Sequence, residues 1–272
     1  LGKFVHNRER ATKLAKSMAR GTTGLLTEFD PEFCKGMVTL SEMFPENFSS
    51  VVGLRLGFAG SGKTHKVLQW INYTPSVKRM FISPRRMLAD EVEIQLKGTS
   101  CQVHTWETAL KKIDGTFMEV FVDEIGLYPP GYLTLLQMCA FRRIVKGQSE
   151  RFLRGKLAEL SKTCLNVRCF GDPLQMRYYS AEDTNLLDKT HELDLMVKTI
   201  KHKYLLQGYR FGQWFQELIN MPTRVDDSKF SRKFFADISS VKTEDYGLIL
   251  VAKREDKGTF AGRIPVATVS ES

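Results

Sequence analysis

Eight consecutive residues, Gly57-Phe58-Ala59-Gly60-Ser61-Gly62-Lys63-Thr64, satisfy the spacing GxxxxGK[ST] directly after an apolar run. Each type has a chemical reason to stand where it does. Glycines let successive backbone N–H groups turn inward toward a phosphate, because no side chain blocks the approach. Lys63 would reach the β- and γ-phosphates of a nucleoside triphosphate as a point charge, and Thr64 would give its hydroxyl to Mg²⁺. The loop therefore predicts a site for ATP or another NTP, formed by Gly57, Ala59, Gly60, Ser61, Gly62, Lys63 and Thr64.

Two further clusters decide what such a site would do. After Val120-Phe121-Val122 come the adjacent acids Asp123 and Glu124. Asp123 would hold Mg²⁺, and Glu124 would orient and deprotonate a water, which hydrolysis needs and transfer to a bound acceptor does not. After Val167–Phe170 comes Gly171-Asp172-Pro173-Leu174-Gln175. The Gln175 amide both donates and accepts, which suits it to contact the γ-phosphate or the attacking water. Gly-Asp-Pro by itself is an ordinary turn.

These residues need elements that bring them to one place. From about Val51 onward short apolar runs alternate with amphipathic segments, a rhythm that predicts βαβ units and a parallel sheet. The expected strands are Val51–Leu56, Arg79–Ser83, Val120–Val122, Val167–Phe170, Gly247–Ala252 and Val266–Val269. A helix is expected to start at Lys63, and another at Met87–Lys97, where Leu88, Val92 and Leu96 share a face. In a parallel sheet the C-terminal strand ends carry the ligand chemistry, and that is where all three clusters fall.

The chain has 272 residues, 42% of them hydrophobic, enough for one large domain or two smaller ones. Five cysteines lie scattered without a CxxC pair, so neither a disulfide framework nor a zinc cluster is expected, and no apolar stretch is long enough for a membrane span. A reducing, intracellular setting is the expectation. The formal charge of +9 is concentrated in Leu1–Arg20 and in Arg142–Arg168, where a solvated helix face and a phosphate-tracking surface are equally open readings. His65, His104 and His191 offer no ligand spacing.

Taken in order, the motifs resemble superfamily 1 helicases, in particular the helicase domain of alphavirus-like positive-strand RNA virus replicases. The resemblance is carried by GFAGSGKT at Gly57–Thr64, FISPRR at Phe81–Arg86, VFVDE at Val120–Glu124, CFGDPLQ at Cys169–Gln175, QGYRF at Gln207–Phe211 and TVSES at Thr268–Ser272. It implies an α/β P-loop NTPase built of RecA-like parallel sheets flanked by helices. The expected division is a basic accessory segment at 1–50, a first RecA-like domain at 51–190 and a partial second one at 191–272.

The resemblance also implies roles. Arg210 would contribute to the γ-phosphate as an arginine finger. Pro84, Arg85 and Arg86 would hold RNA phosphates; Thr105 and Trp106 would lie on the RNA path, where Trp106 could offer a stacking face, and Tyr178 and Tyr179 would link Gln175 to it, with core packing an equally open reading for Trp106 and both tyrosines. The implied activity is an RNA-stimulated NTPase and helicase using ATP and Mg²⁺ on single-stranded or partly duplex RNA. Its setting would be the host cell cytoplasm, at membrane-associated replication complexes beside capping/methyltransferase and polymerase domains. Two other readings use the same residues: RNA 5′-triphosphatase activity at Lys63 and Asp123, and a nucleotide-switched RNA-binding or movement-type protein without unwinding. Ending inside the TVSES motif, the second domain is expected to be cut short, leaving a fragment inactive in unwinding.

Overall fold

In the computed structural model, which describes residues 1–20, 49–145, 147–149, 151–152, 165–178, 191–210, 249–251 and 266–268, the expected apolar runs become strands. The chain forms two compact units, Leu1–Asp227 and Ser228–Ser272. In the first, β1 (Gly2–Val5) and α1 (Arg8–Arg20) precede β2 (Ser49–Gly57), α2 (Lys63–Tyr73), β3 (Arg79–Ser83), α3 (Arg86–Gln95), β4 (Cys101–Thr105) and α4 (Trp106–Lys112). There follow β5 (Glu119–Val122), α5 (Tyr132–Val145), β6 (Asn166–Gly171), α6 (Glu192–Thr199) and β7 (Lys203–Leu205). In the second unit, β8 (Ile249–Val251) and β9 (Val266–Thr268) pair in parallel.

The sheet of the first unit runs β1-β2-β6-β5-β3-β4, with β7 also on β2. All its pairings are parallel except β1 on β2. The free edge of β2 is shared lengthwise: β1 pairs with Ser49–Val52 and β7 with Arg55–Gly57.

Alternation along the strands makes two unequal layers. Val52, Leu54 and Leu56 of β2, Met80 and Ile82 of β3, Val120 and Val122 of β5, and Val167 and Cys169 of β6 enter the larger core. Against them pack α1 through Ala11, Leu14 and Met18, α5 through Leu133 and Leu136, and α6 through Leu193 and Met196. On the opposite face Phe81, Phe121 and Phe170 meet Val67, Leu68 and Ile71 of α2 and Val92 of α3. The Phe121 and Phe170 rings stack at 6.2 Å between centroids, and each buried aromatic contributes roughly 2–3 kcal/mol.

The first twenty residues, expected as an accessory segment, are built into this core. His6 bonds Ser50 Oγ at 2.8 Å and Thr134 Oγ1 at 3.1 Å, tying β1 to β2 and α5. The exposed cations of α1 stay outside, with Lys13 paired to Glu9 at 2.8 Å. Residues 191–205, expected with the second domain, supply α6 and β7 to the first unit. His191 caps α6: its Nδ1 accepts from Leu193 N at 3.0 Å, and its Nε2 donates to Tyr128 O at 2.9 Å. Of the basic stretch Arg142–Arg168, residues 146, 150 and 153–164 lie outside the described residues.

Candidate functional site

The loop between β2 and α2 has the shape its glycines predict. Gly60 and Gly62 adopt φ of 75° and 76°, a left-handed backbone that side chains tolerate poorly. A Cβ at Gly60 would also lie 2.6 Å from Cβ of Arg210, so the chain after β7 closes directly on the loop. Two backbone bonds seal that approach: Phe58 N to Leu205 O at 3.0 Å and Tyr209 N to Gly60 O at 2.9 Å.

Lys63 is buried, and its ammonium donates to the carbonyls of Gly57 at 2.7 Å and Phe58 at 3.2 Å. The Ser61 hydroxyl is buried inside the loop with no hydrogen-bond partner. A polar atom held there without a partner fits a cradle whose complement is an oxyanion.

At the end of β5, Asp123 N bonds Ile82 O at 2.9 Å, which extends the ladder by one residue and points the carboxyl toward the loop. The Thr64 hydroxyl lies 3.2 Å from each Asp123 oxygen. Burial, seconded by the charge of Glu124, pushes the Asp123 pKa up to about 7, against the pull of the Thr64 hydroxyl and Lys63. A hydroxyl and a carboxyl converging in this way are hard oxygen donors suited to Mg²⁺.

Glu124 sits at φ 47°, ψ 53°, the one non-glycine residue with positive φ among the described residues. Such a conformation costs on the order of 1 kcal/mol and gathers at functional sites. Burial raises the Glu124 pKa; Asp172 adds to the rise, and Lys63 and Arg210 oppose it. Lys63, Glu124, Asp172 and Arg210 therefore share one electrostatic field.

Gln175 is brought to the same rim by Asp172. That buried carboxylate accepts from Leu174 N at 3.0 Å, closing the turn, and from Gln175 Nε2 at 3.1 Å. It also accepts from the Tyr204 hydroxyl at 2.8 Å. Neither Asp172 nor Tyr204 is marked for a role by the sequence. Gly-Asp-Pro signals only a turn, and Tyr204 lies 32 residues away with no spacing to single it out.

The residues expected along a nucleic-acid path start from the same end of the sheet. Pro84, Arg85 and Arg86 follow β3, with both arginines exposed and Arg86 paired to Asp90 at 2.8 Å. Thr105 and Trp106 join β4 to α4. The Trp106 ring meets Tyr132 edge-on at 5.8 Å and is half-buried against the core. Tyr178 is likewise partly packed, and its N–H donates to Gly126 O at 2.7 Å. Tyr179 lies outside the described residues.

A family model described as the viral superfamily 1 RNA helicase core domain matches residues 53–145. All 272 residues align at 92% identity with a segment of the genome polyprotein of Apple stem grooving virus (strain P-209), of which the chain spans 13%. The RNA replication polyprotein of Citrus leaf blotch virus (isolate Nagami kumquat/France/SRA-153/1984) is 26% identical over 284 aligned residues, 99% of this chain and 14% of that protein. Among solved structures, arterivirus nonstructural protein 10 (helicase) in complex with DNA is similar at 14% identity and a TM-score of 0.49, covering 80% of this chain and 50% of that one.

Proposed function

We propose that the chain, whose residues 53–145 match the model of the viral superfamily 1 RNA helicase core domain, is the NTP-hydrolysing motor of an RNA helicase within a viral replicase polyprotein. The observation that carries this reading is the convergence of Thr64 and Asp123 at 3.2 Å beside a loop that already holds Lys63. Backbone N–H groups of the loop at Gly60 and Gly62 would hold the β-phosphate, while the Ser61 N–H donates to Phe58 O at 3.0 Å. Lys63 gives up the carbonyls of Gly57 and Phe58 for phosphate oxygens, and Ser61 Oγ gains the partner it lacks.

Thr64 and Asp123 would hold Mg²⁺, which would supply neutralisation of the phosphate charge. Glu124 orients the attacking water and takes its proton at the carboxylate. Gln175, steadied by Asp172, contacts the γ-phosphate or that water. Arg210 presents a fork of donors to the developing charge. Single-stranded RNA crosses the rim made by Pro84–Arg86 and Thr105–Trp106, so that closure around the nucleotide changes the grip on RNA.

The test is RNA-stimulated release of phosphate from ATP by the purified chain. Hydrolysis is expected to rise with single-stranded RNA and to vanish in Lys63→Ala. Hydrolysis indifferent to RNA would refute the reading.

A further inference from the structure

Among the described residues, the two faces of the central sheet are not equally covered. On β2 and β6 the positions opposite the main core are Val51, Gly53, Arg55, Asn166, Arg168 and Phe170; of these only Phe170 is fully buried among the described residues. The strip between α2 and the sheet edge instead opens into a cavity of about 690 Å³. Its lining includes Arg55, Lys66, Arg168 and Lys201, with Glu119 as the acid. Glu119 is already engaged, by Arg79 at 3.0 Å and Arg168 at 3.5 Å.

The surrounding positions extend the same charge. Lys203 is the register partner of Arg55 in the parallel β2–β7 pair, so both side chains leave the sheet on this face, and both are exposed. The wall on the helix side is aromatic. Trp70 is 52% exposed and Tyr73 is 83% exposed, one turn apart on α2. Arg79 sits with its guanidinium 5.9 Å from the Trp70 centroid, a cation–π contact that restrains the ring in its exposed position.

We propose that this face is a second binding surface for single-stranded RNA, separate from the rim at the C-terminal strand ends, with Arg55, Lys66 and Lys203 on phosphates and Trp70 stacking a base. A groove that combines a track of cations with flat aromatic faces is what sequence-tolerant single-strand binding requires. An acidic protein segment would satisfy the cations but leave the aromatic wall without a function. The surface is distinct from the nucleotide loop, and its occupancy needs no hydrolysis.

The experiment measures binding of a fluorescein-labelled oligouridylate by anisotropy across a salt series, without nucleotide, to the full chain and its variants. Trp70→Ala is expected to weaken binding about tenfold. Arg55→Glu with Lys203→Glu is expected to do at least the same and to lower the salt slope by about 0.7 for each phosphate no longer neutralised. Arg55→Lys, which keeps the charge, should restore near-native affinity and exclude misfolding. A 4-thiouridine oligonucleotide should cross-link to the α2 peptide 66–73.

Binding of a fluorescent ATP analogue is expected to be unchanged in Arg55→Glu/Lys203→Glu, and Lys63→Ala should keep the α2 cross-link. Failure at this surface is thereby separated from failure of the nucleotide site. Unaltered affinity and salt slope in both charge-reversal and Trp70 variants would overturn the proposal. So would displacement of the RNA by a polyglutamate peptide whose own binding ignores Trp70→Ala, since the occupant would then be an acidic protein segment.

Discussion

From its place on β7, Tyr204 donates a 2.8 Å hydrogen bond to Oδ1 of Asp172, whose other oxygen accepts from Gln175 at 3.1 Å. A residue of β7 thus fixes the carboxylate that engages the Gln175 amide. Proximity to Asp172 and partial burial also push the Tyr204 hydroxyl above its usual pKa, burial being the larger cause. Tyr204→Phe leaves that carboxylate one donor short, at a cost of about 1–2 kcal/mol in stability. Hydrolysis is expected to slow about tenfold with KM for ATP nearly unchanged, because the loop that binds phosphate is untouched. Thermal denaturation and steady-state kinetics on one preparation check both halves.

Gly60 and Arg210 form a second testable pair. Gly60→Ala meets two obstacles: a backbone at φ 75° and the Arg210 Cβ at 2.6 Å from where its own Cβ must go. The strain alone is about 1 kcal/mol. The displacement of Arg210 should remove much of its effect on kcat, so Gly60→Ala and Arg210→Ala should be strongly non-additive. Arg210→Ala is expected to lower kcat on the order of 10³-fold, with nucleotide affinity changed only a few-fold. Arg210→Lys should not restore the rate, since a lysine lacks the planar fork.

Glu192 is fully buried, and its oxygens accept from Gly131 N at 3.2 Å and Leu133 N at 3.5 Å at the start of α5. Desolvation dominates those bonds and lifts its pKa from 4.5 to about 7. The folded protein therefore binds a proton that the unfolded chain has released between those two values. Stability from this group is fully present below pH 4.5 and lost as pH rises through about 7. Denaturant titrations between these limits should show a fall in stability that is shallower in Glu192→Gln. Comparing wild type with the variant cancels the opposite trend of His6, whose pKa burial lowers from 6.5 to about 3.

Arg86 separates stability from RNA affinity. Its ion pair with Asp90 is 82% and 51% exposed on its two sides, so Arg86→Ala should leave the melting temperature almost unchanged. If the arginine holds an RNA phosphate at the rim, affinity falls to a similar extent across sequences and the salt slope drops by about 0.7. Filter binding at several salt concentrations measures both quantities.

The phosphate loop was legible because its constraints are local. Gly60, Gly62, Lys63 and Thr64 act within eight residues, and the apolar strand before them needs no partner to be seen. Asp123 and Glu124 were legible for the same reason, as acids at the end of a buried run. Asp172 and Tyr204 were not, because their link depends on β7 pairing with β2, and a strand of three residues leaves no periodicity to read. The first twenty residues read as an appendage for a related reason. The basic side chains of α1 dominate its composition, while Ala11, Leu14 and Met18 occupy a narrow stripe that the core covers. For Trp106 and Tyr178 the sequence left an RNA contact and core packing both open, and the side chains are partly engaged in packing.

The edge of β2 has a mechanical meaning as well. Its lower half is clasped by β1 and its upper half by β7, whose next residues bond Gly60. Tension along residues 205–210 would reach the loop through two backbone hydrogen bonds, Phe58 N to Leu205 O and Tyr209 N to Gly60 O. The loop is thus coupled in series with residues 205–210, so that a load on them would register first at Phe58 and Gly60.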